Sequence, residues 1–196
     1  MEAAFLIVGL GNPGSEYAET RHNAGFRLVE TLASRWEAGW KTDRKFRARV
    51  ARVERGGRRV LLCQPRTFMN LSGEAVGALK RFYRLPLKQL LILLDDADLP
   101  LGIVRMRPSG SSGGHHGLES VAAHLGTREF ARLRIGIGRK DGARQITGHV
   151  LGTFEPDEAP LLKKVLDRAA GQVETWLDAG IEKAMQWNGS VEALNR

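Results

Sequence analysis

The segment LGNPGSEYAETRHNAG, residues 10–25, sets Asn12, Tyr17, His22 and Asn23 in a turn-rich stretch directly behind the apolar run Ala4–Val8. That run predicts a buried strand, and loops at the strand ends of open α/β sheets are where substrates bind. His22 can move protons near neutral pH, its unperturbed pKa being about 6.5. A carboxylate bonded to one imidazole nitrogen fixes the tautomer and makes the other nitrogen a better base. Asp95, Asp96 and Asp98 follow the most apolar run, Leu90–Leu94, at a second predicted strand end, and could supply that carboxylate or a magnesium site. No His or Cys accompanies the three acids. Only five asparagines occur in the chain, and Asn12, Asn23 and Asn70 all fall near strand ends or helix starts, where an amide both donates to and accepts from a substrate.

Two further spellings suggest other chemistry. Gly9-x-Gly11-x-x-Gly14 matches a dinucleotide fingerprint, but Pro13 and the stretch 17–22 delay the helix that should follow, and Glu30 stands mid-helix instead of at a second strand end. Gly110-x-Ser112-x-Gly114 spells a nucleophile elbow, which would make Ser112 the nucleophile of a serine esterase. Its setting, Pro108 followed by a run of small residues, reads instead as a mobile loop.

The elements that must carry these residues follow from periodicity. Phe26, Val29, Leu32, Ala33 and Trp36 give a helix over roughly 23–37, and 46–53 and 59–64 read as strands around Arg55-Gly56-Gly57-Arg58. Ser72 is the expected N-cap of a second helix carrying Ala75, Val76, Leu79 and Phe82, in front of which Phe68 and Met69 have the types of packing residues. Further strands are expected at 90–94, 102–107 and 133–137, with helices at 117–125 and 158–179. Alternating strands and helices predict one domain, 1–196, of class α/β, a three-layer α/β/α sandwich around a twisted, mixed, mostly parallel sheet. At 196 residues and 42% hydrophobic content the chain can bury a sizeable core, and no apolar run reaches the length of a membrane span. The absence of a signal-like N-terminus and a single cysteine, Cys63, in an apolar run fit a cytoplasmic protein. The net charge of +8 invites a polyanionic partner, and the charge is patchy: ten basic residues but only Asp43 and Glu54 lie between Lys41 and Arg66.

Five segments, LGNPGSEYAETRHNAG, PRTFMNLSG at 65–73, DDADLPLG at 95–102, GGHHG at 113–117 and RLRIGIG at 132–138, resemble bacterial peptidyl-tRNA hydrolases in the family's own order, through nearly the whole chain. The resemblance implies hydrolysis of the ester between a peptide and the 3′-terminal ribose of tRNA, by a monomer that needs neither cofactor nor metal. It makes His22 the general base, Asp95 its partner and Asn12 a third catalytic residue, with Asn70 also binding near the scissile ester. Tyr17 and Phe68 match positions lining the cleft, and Asn23, Met69, His115 and His116 join the substrate-binding set. Arg105 and Arg107, alternating along one strand, and Arg134 match basic positions that contact the acceptor stem, the last two clamping its 5′-phosphate. His116 replaces the asparagine usual in the family, exchanging an amide that donates and accepts for a ring that does one or the other at each nitrogen. A non-catalytic RNA-binding relative, such as the plant organelle proteins of this fold that serve splicing, is the competing reading.

Overall fold

The apolar runs Phe5–Gly9 and Leu90–Asp96 can be buried on both faces only at the centre of a sheet. The computed structural model, which describes residues 4–138 and 146–191, places them there as parallel neighbours, β1 and β5. β1 also pairs in parallel with β4 (Arg58–Pro65), and β5 with β7 (Ala131–Gly136). Both margins are antiparallel. β3 (Ala48–Arg55) lies on β4 and β2 (Trp40–Asp43) on β3; on the other side β6 (Ile103–Arg107) lies on β7 and the short β8 (Gly189–Ser190) on β6. The resulting order is β2-β3-β4-β1-β5-β7-β6-β8. The sheet is mixed as expected, with parallel pairing concentrated in its four central strands, where crossover helices cover both faces.

Side-chain alternation along β1 builds the two cores. Ile7 packs with Leu62 and Leu91 beneath α1 (Ala24–Arg35) and α5 (Ala159–Ala179), while Leu6 and Val8 face α2 (Ser72–Phe82) and α3 (His116–Leu125) with Leu61 and Ile92. Two short helices, α4 (Ile146–Val150) and α6 (Ile181–Met185), flank α5. No described helix is long and apolar enough to cross a membrane.

Arg55-Gly56-Gly57-Arg58 is a two-residue hairpin with both glycines at positive φ, as its letters require. Ser72 departs from expectation: it is the first residue of α2, and its hydroxyl donates to Met69 O at 2.8 Å instead of capping an amide. β2 was not anticipated, because a polar four-residue margin strand carries almost no periodic signal. Two glycines of the dinucleotide spelling, Gly9 and Gly11, serve close packing against the start of α1. A side chain at Gly25, opening α1, would meet Leu93 O at 2.4 Å, and one at Gly9 would meet Gly25 O at 2.3 Å. The helix therefore starts against the ends of β1 and β5.

Candidate active site

Because β1 and β5 run in parallel, Asn12 and Asp95 reach the same end of the sheet, with Leu10 N–H donating to Leu93 O one residue past β1. The chain then makes single 3-10 turns at Ser15–Tyr17 and Arg21–Asn23, and the second turn carries His22. Buried Arg21 holds this turn in place. It donates to Glu158 at 2.5 and 3.1 Å and to Ile137 O at 3.0 Å, and its guanidinium lies 4.7 Å from the centre of the Phe154 ring. Arg21 and Glu158 are 137 residues apart, so local sequence patterns carried no sign of the pair.

His22 Nδ1 sits 2.9 Å from each oxygen of Asp95. An ionised carboxylate only accepts, so Nδ1 carries the proton and Nε2 keeps its lone pair. His115, at the N-cap of α3, approaches the same carboxylate: its Nδ1 accepts from Leu118 N–H at 3.2 Å, which leaves the proton on Nε2, 3.0 Å from Asp95 Oδ1. Asp95 thus receives two imidazole donors while 2% exposed. Burial pushes its carboxyl upward, but His115 and then His22 outweigh that and hold it well below the usual carboxylate range. His115, grouped with the substrate-binding residues by resemblance, thus bonds both the carboxylate and the first turn of α3.

The asparagines form a second buried unit. Asn23 accepts from Asn12 N–H at 2.8 Å and donates to Asn12 O at 3.0 Å, so both ends of its amide are used within the protein. Asn23 positions Asn12 and is 2% exposed. Asn12 Oδ1 in turn accepts from Met69 N–H at 2.8 Å. This orients the Asn12 amide with its NH2 as the open end.

Asn12, His22, Phe68, Met69, Asn70, Asp95, His115, His116 and Arg134 are among the residues lining one cavity of about 540 Å³. Phe68 is 57% exposed at its mouth, whereas Met69 is buried. Tyr17 is not among the lining residues. It ends the neighbouring 3-10 turn and is half-buried. His116 is exposed at the rim, with Nδ1 3.3 Å from Glu119 Oε2. Ser112 also donates to Glu119, at 3.1 Å, and no histidine bonds it among the described residues, so the elbow spelling lacks a base.

His22, Asp95 and His115 present ligand-type atoms within 4.8 Å of one another. The donor set does not suit a shared cation, since two imidazole N–H groups already point at one carboxylate and the other His115 nitrogen is engaged. Asp96 pairs with Arg134 at 3.0 Å, and the other arm of Arg134 donates to Ser111 O at 2.6 Å. Arg105 lies directly opposite Arg134 and Arg107 opposite Arg132 across the β6–β7 ladder, so all four arginines share a face. Arg105 and Arg107 are exposed and lie outside the cavity lining.

Residues 6–193 match the family model described as peptidyl-tRNA hydrolase. The chain belongs to the peptidyl-tRNA hydrolase family. It is 49% identical over 180 residues to the peptidyl-tRNA hydrolase of Gloeobacter violaceus, covering 92% of this chain and 91% of that protein. The protein of the same name from Thermosynechococcus vestitus is 47% identical over 191 residues, covering 94% and 93%. The crystal structure of peptidyl-tRNA hydrolase from Acinetobacter baumannii superposes with a TM-score of 0.91 at 40% identity, covering 97% of both chains.

Proposed function

We propose that the chain is a peptidyl-tRNA hydrolase that cleaves the ester between a peptide and the 3′ end of tRNA, with His22 as general base. The observation that carries this reading is the buried Asp95 on His22 Nδ1 at the wall of a cavity that also holds Asn12 and Asn70. Water bound at His22 Nε2 loses its proton as it attacks the ester carbonyl. Asp95 stabilises the imidazolium that forms, a general-base contribution of roughly 10²–10⁴-fold. The His115 N–H keeps the Asp95 carboxylate ionised and in place. Asn12, its amide turned by Met69 N–H, offers its NH2 to the developing oxyanion, and Asn70 binds the substrate from the cavity lining. After collapse the proton passes from His22 to the departing ribose oxygen.

Arg105, Arg107 and Arg134 take the phosphates of the acceptor stem. Four arginines facing one another across two strands repel unless counter-charges lie among them. Buried Arg132 is held by three backbone carbonyls and Arg134 by Asp96, and RNA phosphates answer the exposed Arg105 and Arg107. The enzyme works as a monomer in the cytoplasm, where translation delivers its substrate. Release of N-acyl amino acid from N-acyl-aminoacyl-tRNA, with His22→Ala as control, tests the reading. No release by the wild-type chain would leave a non-catalytic RNA-binding protein.

A further inference from the structure

Neither the cavity nor the β6–β7 arginines account for the ten basic residues between Lys41 and Arg66. Strand alternation sorts them by face. Arg49, Arg55 and Arg58 point toward α1 and α5, where each meets an acid: Glu30 at 3.0 Å, Glu174 at 3.1 Å and Asp178 at 3.3 Å. On the α2 face, Lys41 lies opposite Val50, Arg52 opposite Leu61 and Arg59 opposite Glu54, all three exposed. The 3-10 turn Arg44–Phe46 folds over the C-terminal end of α2, which adds exposed Arg81 and Arg84. Of these, Arg52 pairs with Asp43 at 3.6 Å. Lys41, Arg44, Lys45, Arg59, Arg81 and Arg84 make no ion pair among the described residues.

Beside the Arg44–Phe46 turn, at the end of α2, stands Phe82, 54% exposed. Phe46 and Tyr83 make T-shaped contacts with it, with ring centres at 5.3 and 5.0 Å, and Lys45 Nζ lies 3.8 Å from its centre. A half-exposed ring with the unpaired Lys45 over it, near a surface that also carries the exposed Lys41, Arg44, Arg59, Arg81 and Arg84, offers the two needs of single-stranded nucleic acid, a stacking platform and charge for the backbone. An acidic protein surface would use the charges and leave the ring without a planar partner.

We propose that the Phe82–Lys45 patch binds an unpaired RNA segment separate from the acceptor stem. β3 and β6 lie five strand positions apart, roughly 24 Å at about 4.8 Å per strand, so the patch and the β6 arginines occupy opposite margins of the sheet. The proposal is independent of the roles given to His22, Asp95 and Asn12.

Fluorescence anisotropy with a labelled 12-nucleotide oligoadenylate tests it on the full chain. Phe82→Ala should weaken binding about tenfold, while Phe82→Trp, which keeps a π face, should bind at least as tightly as wild type. Lys45→Ala should reduce the slope of log K against log salt by about 0.7. Both alanine variants should hydrolyse N-acyl-aminoacyl-tRNA at the wild-type rate. The proposal is overturned if Phe82→Ala binds the oligoadenylate as wild type does, or if only the Arg105→Ala/Arg107→Ala double variant loses binding. Equal competition by polyglutamate would also overturn it, showing a general polyanion patch without stacking.

Discussion

The cavity wall and the basic face of β6–β7 meet at Arg134, yet they are built on opposite terms. Around Asp95 and Asn12 the polar groups are buried and answered by fixed donors: two imidazoles on one carboxylate, and one amide aimed by another residue's backbone. Along β6, Arg105 and Arg107 stand exposed and pair with no acid among the described residues. Exclusion of water makes each contact in the first region strong and intolerant of displacement, whereas charges in water act over several ångströms and tolerate rearrangement. Substitutions in the first region should therefore strike the rate, and those in the second should strike RNA affinity and its salt dependence.

His22→Ala is expected to have the largest effect, lowering turnover of N-acyl-aminoacyl-tRNA by roughly 10²–10⁴-fold while tRNA affinity stays near wild type. Retention of more than about a tenth of the rate would remove His22 from the role of base. Asn12→Ala should cost about 10²–10³-fold in kcat, the loss typical of one preorganised donor. A change in KM alone would instead make Asn12 a ground-state binder. Asn23→Ala leaves Asn12 N–H and C=O without their partners, and should lower folding stability by about 1–3 kcal/mol in urea denaturation.

Asp95→Asn tests the buried charge through pH. The folded-state pKa of Asp95 is depressed, so its contribution is complete above the unfolded value of about 3.9 and is lost as pH falls toward the folded one. Wild type should exceed the variant in stability at pH 7 by more than at pH 3. A constant difference across that range would mean that the carboxylate gains nothing from its two imidazoles. The smallest effect belongs to the exposed face: Arg107→Ala should lower the slope of log K against log salt by about 1 and leave kcat unchanged. An unaltered slope would place the phosphate elsewhere.

Much of this was legible from letters alone. The apolar runs marked β1 and β5 because only central strands are buried on both sides, and Gly56-Gly57 marked the hairpin because both positions need positive φ. His22 and Asp95 were recognisable as candidates from their types at strand ends, and the structure brings them to 2.9 Å across 73 residues. Other roles left no local trace. Nothing near Asn23 says that its amide is consumed by Asn12, nothing near His115 says that it shares Asp95, and Tyr17 looked equivalent to residues that do line the cavity. Ser72 had the right type for a cap, but its hydroxyl found the Met69 carbonyl of the preceding turn.

Residue types and their periodicity determined which chemistry was available and which segments would be strands and helices, since these depend on neighbours a few positions away. Only the tertiary structure decided which groups face one another: the two imidazoles on Asp95, the Met69 amide that turns Asn12, and the Glu158 that holds the His22 turn through Arg21. The reason is physical. A hydrogen bond forms at about 3 Å in space, and the separation along the chain that reaches it is set by how whole strands and helices pack.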